Sequence, residues 1–79
     1  MITKAQRVIL ASLYRARRPV SMSQLVSRTG YAWNTIKNNV KVLEDRGVVI
    51  VKRSTRRSYV IIDPNYKARL DVKRRRYYD

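Results

Sequence analysis

At Gly47 the apolar residues of this chain change their spacing, and that change limits the folds open to it. Before Gly47, Ile36, Val40 and Leu43 recur at i, i+4 and i+7, one stripe of a helix. After it, Val48-Val49-Ile50-Val51 is β-branched throughout, and Ser58-Tyr59-Val60-Ile61-Ile62 answers it. A helix that runs straight into a hairpin, within 79 residues, points to one small domain of mixed α+β class.

Two further helices precede that junction. Thr3 and Gln6 have the spacing of a capping box, and Ile9, Leu13 and Ala16 follow at helical spacing, with Ala5 a turn earlier and Leu10 and Tyr14 widening the apolar face. Pro19 stops this run, so the first helix is expected over 4–17. Pro19-Val20 reads as a short extended connection. Ser21 and Gln24 repeat the capping box, Met22, Leu25 and Val26 face inward, and Gly30 supplies a left-handed end, which gives a second helix over 22–29. The third helix is expected over 33–46. In the hairpin, Lys52-Arg53-Ser54-Thr55-Arg56-Arg57 contains no Asn-Gly or Gly-Gly pair, so a longer, mobile loop is expected rather than a tight turn. Asp63 and Pro64 can open a last helix over 64–74 with Tyr66, Leu70 and Tyr77 on one face, fraying from about 75 as Lys73-Arg74-Arg75-Arg76 repel one another. The chain thus divides into a domain at 1–62 and a basic tail at 63–79.

Charge narrows the partner. Nineteen Lys and Arg against five Asp and Glu give +14 at pH 7 and a pI of about 11.2. Residues 1–20 carry +5, 21–47 carry +2, 48–62 carry +4 and 63–79 carry +3, so the charge decorates the periodic segments as well as the tail. A polyanion is the expected partner: nucleic acid first, an anionic membrane second. A membrane binder needs a stronger lipid-facing amphipathic helix, and no apolar run approaches a membrane span. No secretory signal is visible at the N-terminus. With no Cys and no His, thiolate and histidine metal sites and the usual nucleophiles and bases are missing. The acids Glu44, Asp45, Asp63, Asp71 and Asp79 form no evident pocket pair, and no phosphate-cradling Gly loop is present. The expectation is therefore no enzyme, no cofactor and no metal.

Helix, extended link, short helix, Gly turn, longer helix, Gly and basic hairpin is the order of a winged helix-turn-helix, and the resemblance spans roughly residues 4–62. It is tightest from Gly30 to Val49. Thr35-Ile36, Val40, Leu43, Glu44-Asp45, Gly47 and Val48 fall in register with the turn, recognition helix and first wing strand of small prokaryotic regulators of the MarR and ArsR kind. The fold this implies is three helices followed by a two-stranded β-hairpin wing, with a possible short C-terminal helix. Three features depart from those families. Ala32 stands where a capping Ser is usual, Trp33 stands where a small or polar residue is usual, and the ArsR metal ligands are absent. The long terminal helices of MarR dimers do not fit in this length.

The residues expected at a nucleic-acid interface follow. Asn34, Lys37, Asn38 and Lys41 make a polar, acid-free face; Asn can pair with adenine and Lys with guanine O6 and N7, although such a face can also be plainly solvated. Trp33 either packs on a thymine methyl or sugar at the groove entrance or covers the junction of helices 2 and 3. Tyr31 is expected in the core, and Asn39 is expected to bond to helix 1 or the wing. Lys52, Arg53, Arg56 and Arg57 can line a phosphate backbone or enter a minor groove, or protect a sheet edge. Ser21, Ser23 and Thr35 either offer hydroxyls and helix-terminal amides to phosphates or merely cap helices. Arg15, Arg17 and Arg18 suit the first helix's dipole and can also face a partner. The tail from Lys67 to Arg76 reads either as an arm on DNA or as a dimerisation helix.

The expected function is sequence-specific binding of double-stranded DNA by a transcriptional regulator acting as a homodimer, with helix 33–46 in the major groove and wing 52–57 on the backbone or in the minor groove. No small-molecule ligand is evident in the sequence, and control through abundance or a partner is expected. An RNA-binding ribosomal or ribonucleoprotein component is the alternative, as is a non-specific architectural DNA-binding protein. The expected location is the cytoplasm, with the nucleoid, or a host cytoplasm if the source is viral. Small, Cys-free winged helices rich in Tyr and Arg resemble proteins of archaea and their viruses.

Overall fold

The computed structural model describes residues 2–66. Its elements run α1 (Lys4–Ala16), β1 (Val20–Ser21), α2 (Met22–Thr29), α3 (Trp33–Asp45), β2 (Val49–Arg53) and β3 (Ser58–Ile62). Residues 64–66 are helical, and the rest of the helix expected over 64–74, with the tail to Asp79, lies outside the described residues.

Local chemistry sets the helix boundaries. Both capping boxes form: Thr3 Oγ1 accepts the Gln6 amide while Gln6 Oε1 accepts the Thr3 amide, and Ser21 and Gln24 do the same. Each box satisfies two amide groups that a bare helix start leaves orphaned. α1 stops at Ala16 because Arg17 takes a left-handed conformation at φ 54°, one residue earlier than Pro19 alone implies. Gly30, at φ 77°, closes α2. Gly47, at φ 73°, closes α3 with a full Schellman motif, its own amide donating to the Glu44 carbonyl and the Val48 amide to the Leu43 carbonyl. A side chain other than Gly would hold that φ poorly, so Gly47 is what turns the helix stripe into the strand.

The sheet differs from expectation. It has three antiparallel strands in the order β1-β3-β2, not the two of a bare hairpin. Val20 pairs with Val60 and Ser21 with Tyr59, so the link after Pro19 is a strand. β2 and β3 pair from Val49↔Ile62 to Arg53↔Ser58. The connection is also tighter than expected. The Ser54 amide donates to the Arg57 carbonyl at 2.9 Å, and the Arg57 amide donates back to Ser54 Oγ at 3.3 Å, leaving Thr55 and Arg56 at the tip. A serine hydroxyl supplies the acceptor that an Asn-Gly turn would take from the backbone.

The three helices and the inner face of the sheet enclose one core: Ile9, Leu13, Val20, Leu25, Ile36, Val40, Leu43, Val49 and Val60. Burying side chains of this size contributes about 1.5–3 kcal/mol each before conformational entropy is set against it. Tyr31 packs against this core half-buried. A polar bridge crosses the α1–α3 contact. Gln6, 4% exposed, donates from Nε2 to Asn39 Oδ1 at 3.2 Å, and Asn39 Nδ2 donates to the Thr35 carbonyl at 2.7 Å. Asn39 thus bonds to helix 1.

Candidate nucleic-acid interface

The core fixes the roll of α3. With Ile36, Val40 and Leu43 inward, Asn34, Asn38 and Lys41 point away from the protein, and all three are exposed. Lys37, Lys41 and Glu44 form a second row, at i, i+4 and i+7, on the flank that faces the wing. Thr35 lies on the opposite flank, half-buried, and its carbonyl accepts from Asn39 Nδ2.

Between α3 and the wing runs a cleft with two compartments. One, of about 410 Å³, is bounded by Ser21, Met22, Ser23 and Trp33 on the helical side and by Ser54, Thr55, Arg56, Arg57 and Ser58 on the hairpin. The other, of about 330 Å³, is lined by Met22, Trp33, Lys37, Val40, Lys41, Glu44, Val51, Arg53 and Ser58. Trp33 borders both and is 52% exposed, so the indole is available on the cleft wall and does not seal the junction of α2 and α3. No side chain caps α3 at Ala32, so that its first amides lack the hydroxyl acceptor that Thr3 and Ser21 give the other helices.

The structure therefore brings Ser21, Ser23, Trp33, Lys37, Lys41, Arg53, Arg56 and Arg57 to one cleft and sets Asn34 and Asn38 beside it on the open face. Thr35 lines neither compartment, and three other expected residues have surroundings that the sequence did not disclose. Ser21 is only 5% exposed, and its hydroxyl accepts the Gln24 amide and meets Ser23 Oγ at 3.3 Å, so it caps α2. Lys52 alternates with Val51 and Arg53; since those two line the cleft, Lys52 projects from the other face of the sheet, paired with Tyr59. Arg53 is in the cleft but already engaged: Nη1 and Nη2 lie 3.4 and 3.5 Å from the two Glu44 carboxylate oxygens. Glu44 is the residue sequence reasoning left out of the site. Its spacing from Lys37 and Lys41 was the available signal. Among the described residues no group of acids or other ligands is placed to hold a metal ion, and no helix is long and apolar enough to cross a membrane.

This fold is a winged helix-turn-helix: a helix-turn-helix pair, α2 and α3, followed by a β-hairpin wing. No protein-family model and no curated protein matches the sequence. Solved structures do match, among them several transcriptional regulators and a winged helix-turn-helix DNA-binding domain. The chain superposes with a TM-score of 0.78 on a probable transcriptional regulator from Pseudomonas aeruginosa, at 29% identity over 89% of this chain and 55% of that one. It matches a Bordetella bronchiseptica protein, whose DNA binding is regulated by 6-hydroxynicotinic acid, with a TM-score of 0.76 at 26% identity over 89% of this chain and 50% of that one. A third match is a homodimeric winged helix-turn-helix DNA-binding domain from Mycobacterium bovis, a possible ArsR-family regulator, with a TM-score of 0.77 at 25% identity over 98% of this chain and 69% of that one. The chain spans about half the length of the first two proteins.

Proposed function

We propose that this chain binds double-stranded DNA sequence-specifically and regulates transcription as a homodimer. The observation that carries the reading is the joint placement of two kinds of group. Amides and lysines that can pair with base edges, Asn34, Lys37, Asn38 and Lys41, stand on the exposed side of α3. Cations that can hold phosphates, Arg56 and Arg57, stand on the wing, across the cleft from Ser23 and from Trp33 at the start of α3. α3 enters the major groove, and the wing tip follows the backbone or the minor groove. Trp33 sits between the two, where a sugar or a thymine methyl can pack on its face.

A homodimer follows from scale. One such module covers few base pairs, and a two-fold pair reads two half-sites about 34 Å apart or a multiple of that. The neighbours described above support the regulatory role. The protein acts where DNA is accessible, in the cytoplasm and nucleoid of a prokaryotic cell.

Selection of bound duplexes from a random pool at near-physiological salt tests this reading. The expected result is an enriched palindromic site. Tight binding with no enrichment would show an architectural DNA-binding protein instead, and preferential competition by structured RNA would show an RNA-binding one.

A further inference from the structure

Resting on the DNA-binding reading, we propose that Glu44 gates the cleft: it neutralises Arg53 and biases the DNA backbone towards the Trp33 and wing-tip end. The charges on the two compartments differ in kind. The compartment that reaches the wing tip carries Arg56 and Arg57, and none of its described lining residues is acidic. The other carries Lys37, Lys41 and Arg53, with Glu44 as the one acid among its described lining residues.

Glu44 is placed to act on a ligand, not to hold the fold. Its carboxylate meets both terminal nitrogens of Arg53, and the side chains are 29% and 68% exposed respectively. A pair this open adds little to stability. Its effect on an incoming polyanion is larger. A phosphate approaching Arg53 meets a carboxylate at the same place, and Arg53 offers it no net charge. At the other end of the cleft the guanidinium groups of Arg56 and Arg57 are opposed by no acid of that compartment. With Arg53 engaged and Lys37 and Lys41 turned to base edges, Arg56 and Arg57 are the cleft cations left for the backbone, which is thereby biased to the wing-tip track. Glu44 is thus a positioning residue that sharpens specificity by repulsion.

Counting phosphates tests the gate. Each phosphate neutralised steepens the log-affinity against log-salt line by about 0.9 on duplex DNA. Binding of the full chain to a random-sequence duplex is measured between 50 and 200 mM salt for wild type, E44Q, R53Q, R56Q and E44Q/R53Q. E44Q is expected to free Arg53 for a phosphate, steepening the slope by about 0.9, which adds about 3.5-fold to the affinity lost across that salt range. R53Q is expected to leave the wild-type slope unchanged within error and to cancel the E44Q increment in the double variant. R56Q is expected to flatten the slope by about 0.9 in the wild-type background. Gln and Lys both suit a helix, so E44K serves as a second variant, expected to steepen the slope further than E44Q, with a thermal melt to show that each variant is folded. The gate is overturned if R53Q flattens the wild-type slope as R56Q does, or if neither E44Q nor E44K steepens it. A wild-type slope near zero overturns the DNA reading and the gate together; a steep wild-type slope that both Glu44 variants leave unchanged overturns the gate alone.

Discussion

Lys37 and Asn38 are neighbours in sequence with different work. Lys37 lines the cleft on the wing side, whereas Asn38 stands on the open face of α3. Asn38→Ala is therefore expected to relax preference at one base position, at a cost of about 1–3 kcal/mol for the matched site and little for other sequences. Competition by a panel of single-base variants of the selected site checks this, and a uniform loss on every duplex would contradict it. Arg17 supports a stability prediction at the same scale. It holds a left-handed conformation that a side chain disfavours, and its amide closes α1 on the Leu13 carbonyl. Arg17→Gly is expected to raise stability by about 0.5–1 kcal/mol in urea unfolding, since the relief of that conformation outweighs the added entropy of the unfolded chain. Single residues were legible in the sequence where their partners are local. Thr3 with Gln6 and Ser21 with Gln24 act across three positions, and spacing alone reveals them. The Gln6–Asn39 bond spans 33 positions: the place of Asn39 beside the buried stripe pointed to helix 1 or the wing, but nothing in the sequence named Gln6 as the partner.

Each helix start can be compared with the others. Ala32 has φ −63° and ψ 154°, close to the −73° and 161° of Ser21, so its backbone is already set for a cap it lacks. Ala32→Ser is expected to stabilise the fold by about 1 kcal/mol, read as a higher thermal midpoint with no change in the helical signal of the folded state. The wing supports a different test. Arg56→Ala with Arg57→Ala is expected to weaken binding to all duplexes alike and to flatten the salt slope by about two. A sequence-selective loss would instead place base reading on the hairpin. At this scale the sequence disclosed the helices and the hairpin through their periods, but it did not disclose β1. Two residues carry no period, and what makes Val20 and Ser21 a strand is pairing with Val60 and Tyr59, forty and thirty-eight positions away. The hairpin tip was misread for the reverse reason. Ser54 closes it with a side-chain hydroxyl, which leaves none of the turn residues that mark a tight hairpin.

Over the whole molecule, the core and the interface are set by the same stripe. Ile36, Val40 and Leu43 bury one side of α3, and the opposite side becomes the polar face. For that reason the fold and the outward residues of α3 were legible from the sequence together. Which wing cations share a cleft with α3 was not legible. That depends on strand phase, which turns Lys52 away, and on Glu44, which engages Arg53. The central claim is that this surface binds duplex DNA by pairing cations with phosphates, and its most direct test is the affinity of the wild-type chain for a duplex across a range of salt. With about six phosphates neutralised, log affinity should fall against log salt with a slope near −5. A slope near zero would contradict the account.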